Sequence, residues 1–341
     1  MSLATLSTAT SEHLKHAHVI VKNSLWSVLK ASGSDLRTYL QGQITQDINK
    51  LTNQQAIHSC ILTPQGKAVS ELFMIAGQHD ELIILTPSSH AEATVARLRQ
   101  FAIAHQLRIG IVDSLSVYAV YGSATFACLD QFSLPDFTSA ETEPAWLSCS
   151  RKQDDDLYAL HMHSNPQHCW LIGEAKQIEP HISDPNLSNQ YQLLDTELEA
   201  LRILYGLPVF GIEWNERMHP LNANLVELDG VDFNKGCYVG QEVTSRMHWR
   251  GGIKKKLYRV KLAESPTELP CAIRSSVKIG ELLSAARDDQ DQYIGIALLP
   301  IETVESLEAS ETAETAETAE SNSSLTIEPN NKLTILEACH A

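Results

Sequence analysis

The sequence has no CxxC pair and no unbroken apolar run of the roughly 18 residues that a membrane span needs. Its seven cysteines, at 60, 128, 149, 169, 237, 271 and 339, are odd in number and widely scattered. That excludes a disulfide framework and any zinc or iron–sulfur ligand set built from neighbouring cysteines. The N-terminal stretch MSLATLSTATSEHLKHAHVIVKNS lacks arginine, carries Glu12 and has no basic start followed by an apolar run. It reads as neither a secretory signal nor an organellar transit peptide, and the expected location is the cytoplasm. Metal ligands are equally sparse: HMHSNPQHC (161–169) offers three histidines and a cysteine but no carboxylate, so it reads as a polar strand edge and loop.

What is present is an ordinary globular composition, 43% hydrophobic and 20% charged over 341 residues, enough for two or three domains. The net charge of −16 is unevenly spread. Glutamates at 302, 305, 308, 311, 314, 317 and 320 supply seven of those charges, and ETAETAETAE lies within this run. A period of three drifts around a helix, so residues 302–324 read as a solvated, disordered acidic insertion. Between Lys235 and Lys261 the balance reverses, with eight basic residues opposed only by Glu242. A local positive field of that kind usually faces an anionic partner.

The first half mixes strands and helices. SDLRTYLQG is expected to be a short helix stopped by Gly42, and AIHSCILT and KAVSELFMI are strands joined at Pro64-Gln65-Gly66. ELIILT and SVYAVYG are further strands, and a helix is expected from Ser88 or Ser89 to about Gln106. DTELEALRILYGLP is a helix with Leu198, Leu201 and Leu204 on its apolar stripe. From residue 253 onward, short alternating segments such as KLYRVKL and YIGIALLP indicate a small β-barrel over 253–341. The fold class is therefore α+β, with residues 1–250 forming the α/β part.

The residues most suggestive of chemistry are FNKGCYVGQE (233–242). Gly236 and Gly240 permit a tight turn, and a helix from Gln241 to about Trp249 is expected, with Glu242 and Arg246 at i,i+4 and Val243 and Met247 facing inward. Cys237 then sits just ahead of a helix start and two residues from Lys235, both of which favour a thiolate. The alternative is a turn cysteine buried by Phe233, Tyr238 and Trp249.

Lys235-Gly236-Cys237-Tyr238-Val239-Gly240-Gln241-Glu242 resembles the signature of the YgfZ family, folate-binding proteins related to the glycine-cleavage T-protein. YLQGQITQDINKL (39–51), TPQGKAVSELFMI (63–75) and GLPVFGIEWNERMHPLNANLVELDG (206–230) are similar to further segments of that family, in the same order. The resemblance implies two interleaved ferredoxin-like α/β domains and a C-terminal β-barrel around a central folate. It also implies a tetrahydrofolate-type cofactor and a role in iron–sulfur cluster assembly or repair, including for tRNA-modifying enzymes. The T-protein carries a Gly-Gly-x-x-Asp-Asp pattern where this chain has Gly66-Lys67-Ala68-Val69-Ser70-Glu71. Only Glu71 remains acidic, so aminomethyl transfer is not expected to be retained.

The expected site is therefore Cys237 as the reactive group, either holding a cluster transiently with a partner's ligands, exchanging disulfides with a partner, or protected by folate. Lys235, Gly236, Tyr238, Gly240, Gln241, Glu242 and Arg246 are expected around the folate, with Glu71, and Lys67 against an anionic folate tail. Expected partners are folate and iron–sulfur assembly proteins or client enzymes. A one-carbon transferase using Glu71 is the second reading. A nucleic-acid module stacking bases on Tyr238, Trp249 and Tyr258 is the third, disfavoured by the acidic remainder of the chain.

Overall fold

A computed structural model describes residues 3–134, 145–163, 167–182, 193–275, 277–313, 325–327 and 331–339. Two five-stranded antiparallel sheets and one closed barrel make up the described chain. The first sheet runs in the order Ile57–Leu62, Ala68–Ala76, Leu82–Pro87, Trp26–Ser32, Arg108–Ile111. The second runs Val19–Lys22, Leu115–Tyr121, His168–Glu174, Tyr158–His163, Cys149–Arg151. The chain thus enters the second sheet, leaves to build the whole of the first, and returns. This is the interleaving of two ferredoxin-like units.

Each sheet carries helices on one face only. Leu36–Gln41 and Ala91–Gln100 cover the first, burying Leu36, Leu40, Val95 and Leu98 against Leu72, Met74 and Ile84. Thr125–Leu129 and Ala175–Ile182 cover the second. Because strand side chains alternate between faces, Glu71 and Phe73 point the opposite way from Leu72 and Met74. The uncovered faces meet each other, and the Asp195–Leu204 helix packs with them in one shared core.

The barrel closes in the order Lys278–Arg287, Cys271–Arg274, Leu325–Ile327, Asn331–Ala338, Lys255–Leu262, Tyr293–Pro300 and back to the first strand. Its interior is filled by Tyr258, Val260, Leu282 and Leu299 among others. Residues Ala4–Thr5 add a short strand parallel to Lys278–Arg287, so the beginning of the chain belongs structurally to the barrel. Among the described residues no helix is long and apolar enough to cross a membrane.

Several expectations need correction. The helix after Ser89 ends at Gln100, short of the expected Gln106, and Phe101 beyond it is half exposed beneath the Arg97 guanidinium. Residues Ile301–Ala313 are helical, not disordered. The glutamate period hid an apolar spacing of Ile301, Val304 and Leu307, and Val304 is buried on the barrel core. The rest of the acidic insertion, 314–324, lies outside the described residues. His161 is buried, with Nδ1 2.9 Å from the Ala145 carbonyl. A register shift between His161 and His163 interrupts the pairing of this strand with His168–Glu174.

Candidate functional site

The Cys237 motif begins where residues 232–239 are pinned to the segment 42–46. Asp232 N–H donates to Thr45 O (3.1 Å) and Val239 N–H to Gly42 O (3.2 Å). The Lys235 ammonium is buried and donates to the carbonyls of Ile44 and Gln46, each at 2.8 Å. Burial pushes this lysine down to about 8, against the opposing pull of Asp47 and Asp232. Lys235 therefore acts as a strut under the loop, where the sequence had suggested a charge acting on the thiol. Tyr238 is buried beside it, 5.0 Å from Nζ to ring centre, and burial raises its phenol to about 12.

Gly240 caps the Gln241–Trp249 helix in the left-handed region (φ 83°), and a Cβ there would lie 2.6 Å from Thr63 O. That close approach seats the motif on the turn between the strands Ile57–Leu62 and Ala68–Ala76. Cys237 itself is exposed, so the aromatic residues do not bury it. Phe233 instead stacks on His248 (3.9 Å), and Trp249 projects into solvent at 70% exposure. Of the seven cysteines only Cys237 is exposed; Cys271 is intermediate and the other five are buried. Val243 was expected to face inward and is exposed, whereas Thr244 takes the buried position. Arg246 pairs with Glu242 at 3.2 Å on the surface, Lys256 with Glu227 and Arg259 with Glu337.

Lys67 donates to Arg217 O (2.8 Å) and lies near His219. His219 is 5% exposed, and its Nδ1 accepts from Leu221 N–H. Burial, with the Lys67 charge behind it, lowers this imidazole to about 4. A histidine that stays neutral when folded but protonates near 6.5 when unfolded stabilises the fold above pH 6.5, and that contribution fades as pH falls towards 4. Lowering the pH from 7 to 5 should therefore cost about 2 kcal/mol through His219 alone. Denaturant titrations of His219→Gln at both pH values check this, with the variant showing a correspondingly flatter response.

A second cluster lies between the two sheets. Trp26, Phe73, Trp146, Tyr121 and Trp170 wall a cavity whose rim is Leu207, Pro208 and Val209. Trp26 and Trp170 sit 5.0 Å apart centre to centre, and Phe73 meets both edge-on. About 40 Å³ is open to water, room for about three waters, so a bicyclic ring must part the aromatic walls to enter. Of the expected site residues Glu71 alone lines it; Lys67, Lys235, Gly236, Cys237, Tyr238, Gly240, Gln241, Glu242 and Arg246 do not. Glu71 is 2% exposed; one oxygen lies 2.9 Å from His58 Nε2 and the other accepts Phe210 N–H at 3.1 Å. Trp170 Nε1–H is buried in the wall without a hydrogen-bond partner among the described residues. Arg202 also lines the cavity, held by Glu213 and Glu199.

The two clusters are joined by short hydrogen bonds. Thr45 Oγ1 donates to Gly230 O (2.6 Å), Gln46 Nε2 to Asp229 O (2.5 Å), and His58 Nδ1 lies 3.0 Å from Leu228 O. Segment 44–46 thus touches the strut lysine on one side and, on the other, Asp229 and Gly230, next to the wall residue Leu228. His58, Arg202, Trp26, Trp146 and Trp170 were not anticipated, because they come from segments scattered over nearly 180 residues.

Comparison with known proteins decides the family. The tRNA-modifying protein YgfZ of Sodalis glossinidius is 30% identical over 234 residues, covering 68% of this chain and 68% of its own. The chain belongs to the YgfZ family. The YgfZ of Hamiltonella defensa is 28% identical over 295 residues, covering 86% of this chain and 81% of the relative. No protein-family model matches the sequence. In structure, the glycine cleavage aminomethyltransferase T of Bartonella henselae covers 97% of this chain and 87% of its own at a TM-score of 0.75. At 14% identity that likeness establishes a shared T-protein fold and nothing about activity. Within that YgfZ frame, both the Cys237 loop and the aromatic cavity fall in the α/β region.

Proposed function

We propose that this chain is a folate-binding accessory protein of the cytoplasm that supports iron–sulfur enzymes, among them enzymes that modify tRNA, through the exposed thiol of Cys237. The observation that carries the folate half is the aromatic cavity. Its rings suit a flat heterocycle, Trp170 Nε1–H has no acceptor among the described residues, and Glu71 offers an acceptor to a ligand. A bound tetrahydrofolate would supply a one-carbon carrier; Trp170 would donate to it and Glu71 would accept from it. The relatives' description as tRNA-modifying supports the choice of client enzymes.

Cys237 is the accessible sulfur, on a loop held by Lys235 and the 42–46 segment. One thiolate does not hold a cluster, so a partner or a small thiol contributes the remaining ligands. Glu71 is buried and held in place by His58 and Phe210 N–H, so it is not free to move against a reacting amine, which disfavours the transferase reading. Tyr238 and Tyr258 are buried, which leaves only Trp249 of the stacking groups a nucleic-acid module needs.

Replacing Cys237 by alanine should lower iron–sulfur enzyme activities in cells severalfold while leaving stability within about 0.5 kcal/mol, as for other exposed positions. Titration of the purified protein with 5-formyltetrahydrofolate should quench its tryptophan fluorescence, and Trp170→Phe should weaken binding. Undiminished enzyme activities in the Cys237→Ala strain would remove the thiol from the function. A flat fluorescence titration would remove the folate.

A further inference from the structure

His58 is 1% exposed and meets two hydrogen-bond acceptors. Its Nδ1 lies 3.0 Å from the carbonyl of Leu228, which can only accept, so Nδ1 carries a hydrogen. Its Nε2 lies 2.9 Å from Glu71 Oε1. A neutral imidazole protonated on Nδ1 presents a lone pair at Nε2, and a carboxylate presents another. Two lone pairs at that distance repel, so a second hydrogen lies between them.

The ring has no easy way out of this arrangement. It stacks on Phe73 at 4.6 Å and 19°, and a Cβ at Gly230 would stand 2.8 Å from Nδ1. The other oxygen of Glu71 is fixed by Phe210 N–H, on the loop that forms the cavity rim. The remaining charged or titratable groups around the pair are accounted for. Arg202 is bound by Glu213 and Glu199, Tyr121 and His168 stack on each other at 3.9 Å, and Cys60 is buried on the His58 strand opposite Glu71, donating to Ser70 O. None of them supplies the hydrogen between His58 and Glu71.

We propose that His58 and Glu71 hold a single shared proton in the cavity wall, and that this pair fixes Glu71 as an acceptor for the N–H donors of the nitrogen heterocycle bound there, with His58 as the positioning residue behind Glu71. The pair is neutral overall, which is why a carboxylate persists in an aromatic wall without a free countercharge. The proton stays between them when a ligand binds, because handing it on would leave two lone pairs facing each other at 2.9 Å. A ligand offering N–H donors bonds to the free lone pairs of Glu71. Glu71 is thus no unencumbered base, in keeping with the loss of the carboxylate pattern of the T-protein.

The inference rests on the proposed function only for the identity of the ligand, and the test separates the two. In protein labelled with 15N-histidine at pH 7, His58 should show hydrogens on both ring nitrogens, the one on Nε2 shifted far downfield. Glu71→Gln should remove the Nε2 signal and leave an imidazole with one hydrogen, and His58→Gln should weaken 5-formyltetrahydrofolate binding about tenfold, the size of one charge-assisted hydrogen bond. A single-hydrogen His58 in the parent protein overturns the shared proton. An unchanged affinity in His58→Gln, in a parent that binds the probe, overturns the positioning role. A parent with the two-hydrogen signature that fails to bind the probe upholds the pair and overturns the folate reading instead.

Discussion

Arg202→Met should unfold at a much lower urea concentration than the parent, having lost about 3–5 kcal/mol, the usual cost of breaking a buried ion pair from one side. Arg202 is 5% exposed and uses its whole guanidinium. Nη1 donates to Leu207 O (2.6 Å) and Glu213 Oε2 (3.0 Å), Nη2 to Glu213 Oε1 (2.8 Å) and Glu199 Oε1 (2.5 Å), and Nε to Glu199 Oε2 (3.0 Å). Glu213 is 2% exposed and also accepts Val209 N–H at 2.9 Å. Removing the arginine strands that carboxylate in the core and frees the 207–213 loop, which carries the cavity rim and the Phe210 N–H bound to Glu71. Folate affinity should therefore fall with stability. Lysine at 202 should rescue little, since it cannot make the two-pronged contact to Glu213. The double variant Arg202→Met/Glu213→Gln should be less damaged than the two single losses imply, because the stranded charge is gone. Additive losses in such a cycle would show that the pair does not act as a unit.

Asn224→Ala should destabilise by about 2–4 kcal/mol, with the loss concentrated where the barrel meets the rest of the protein. Asn224 sits in the left-handed region (φ 61°), which asparagine tolerates better than alanine. Its side chain accepts Leu257 N–H at 2.8 Å and donates to Leu257 O at 2.8 Å and Cys339 O at 2.6 Å. Leu257 O keeps a second partner in Cys339 N–H, so the variant strands Leu257 N–H and Cys339 O. Asn224→Gly should recover the backbone strain but neither hydrogen bond, and fall between parent and alanine. Hydrogen exchange should show early opening of the Lys255–Leu262 and Asn331–Ala338 strands. Uniform loss of protection would count against a local clamp.

Much of this architecture is legible where a segment makes its own pattern. The hairpin over 57–76 declared itself by β-type runs around Pro64-Gln65-Gly66, and the Asp195–Leu204 helix by its leucine spacing. The barrel strands were legible for the same reason. The strands Val19–Lys22 and Trp26–Ser32 and the helix Thr8–His16 were not, because each is short and mixes polar with apolar residues. The Cys237 motif was read as a unit, but not what its lysine does. A lysine near a cysteine reads as an electrostatic neighbour until its ammonium is seen tied to Ile44 and Gln46. Glu71 stood out as the last acid in an altered T-protein-like pattern. The histidine bound to it did not, since His58 and Glu71 meet only across the hairpin, His58 lying opposite Phe73 in the register. The stretch 206–230 was recognised as a block, and the reason is now physical. It supplies the cavity rim, Glu213 for Arg202, His219 beside Lys67, and the Asn224 clamp.

The short Ala4–Thr5 strand sets a schedule for the newborn chain. Its partners are Ala286 and Arg287. At roughly 5–20 residues per second, synthesis leaves the first strand waiting on the order of 15–60 s before its partner exists. The strands of the two sheets are made before then, whereas the barrel can close only once the Asn331–Ala338 strand has been made. Ala4 and Thr5 therefore find their place after the strands of both sheets have been made.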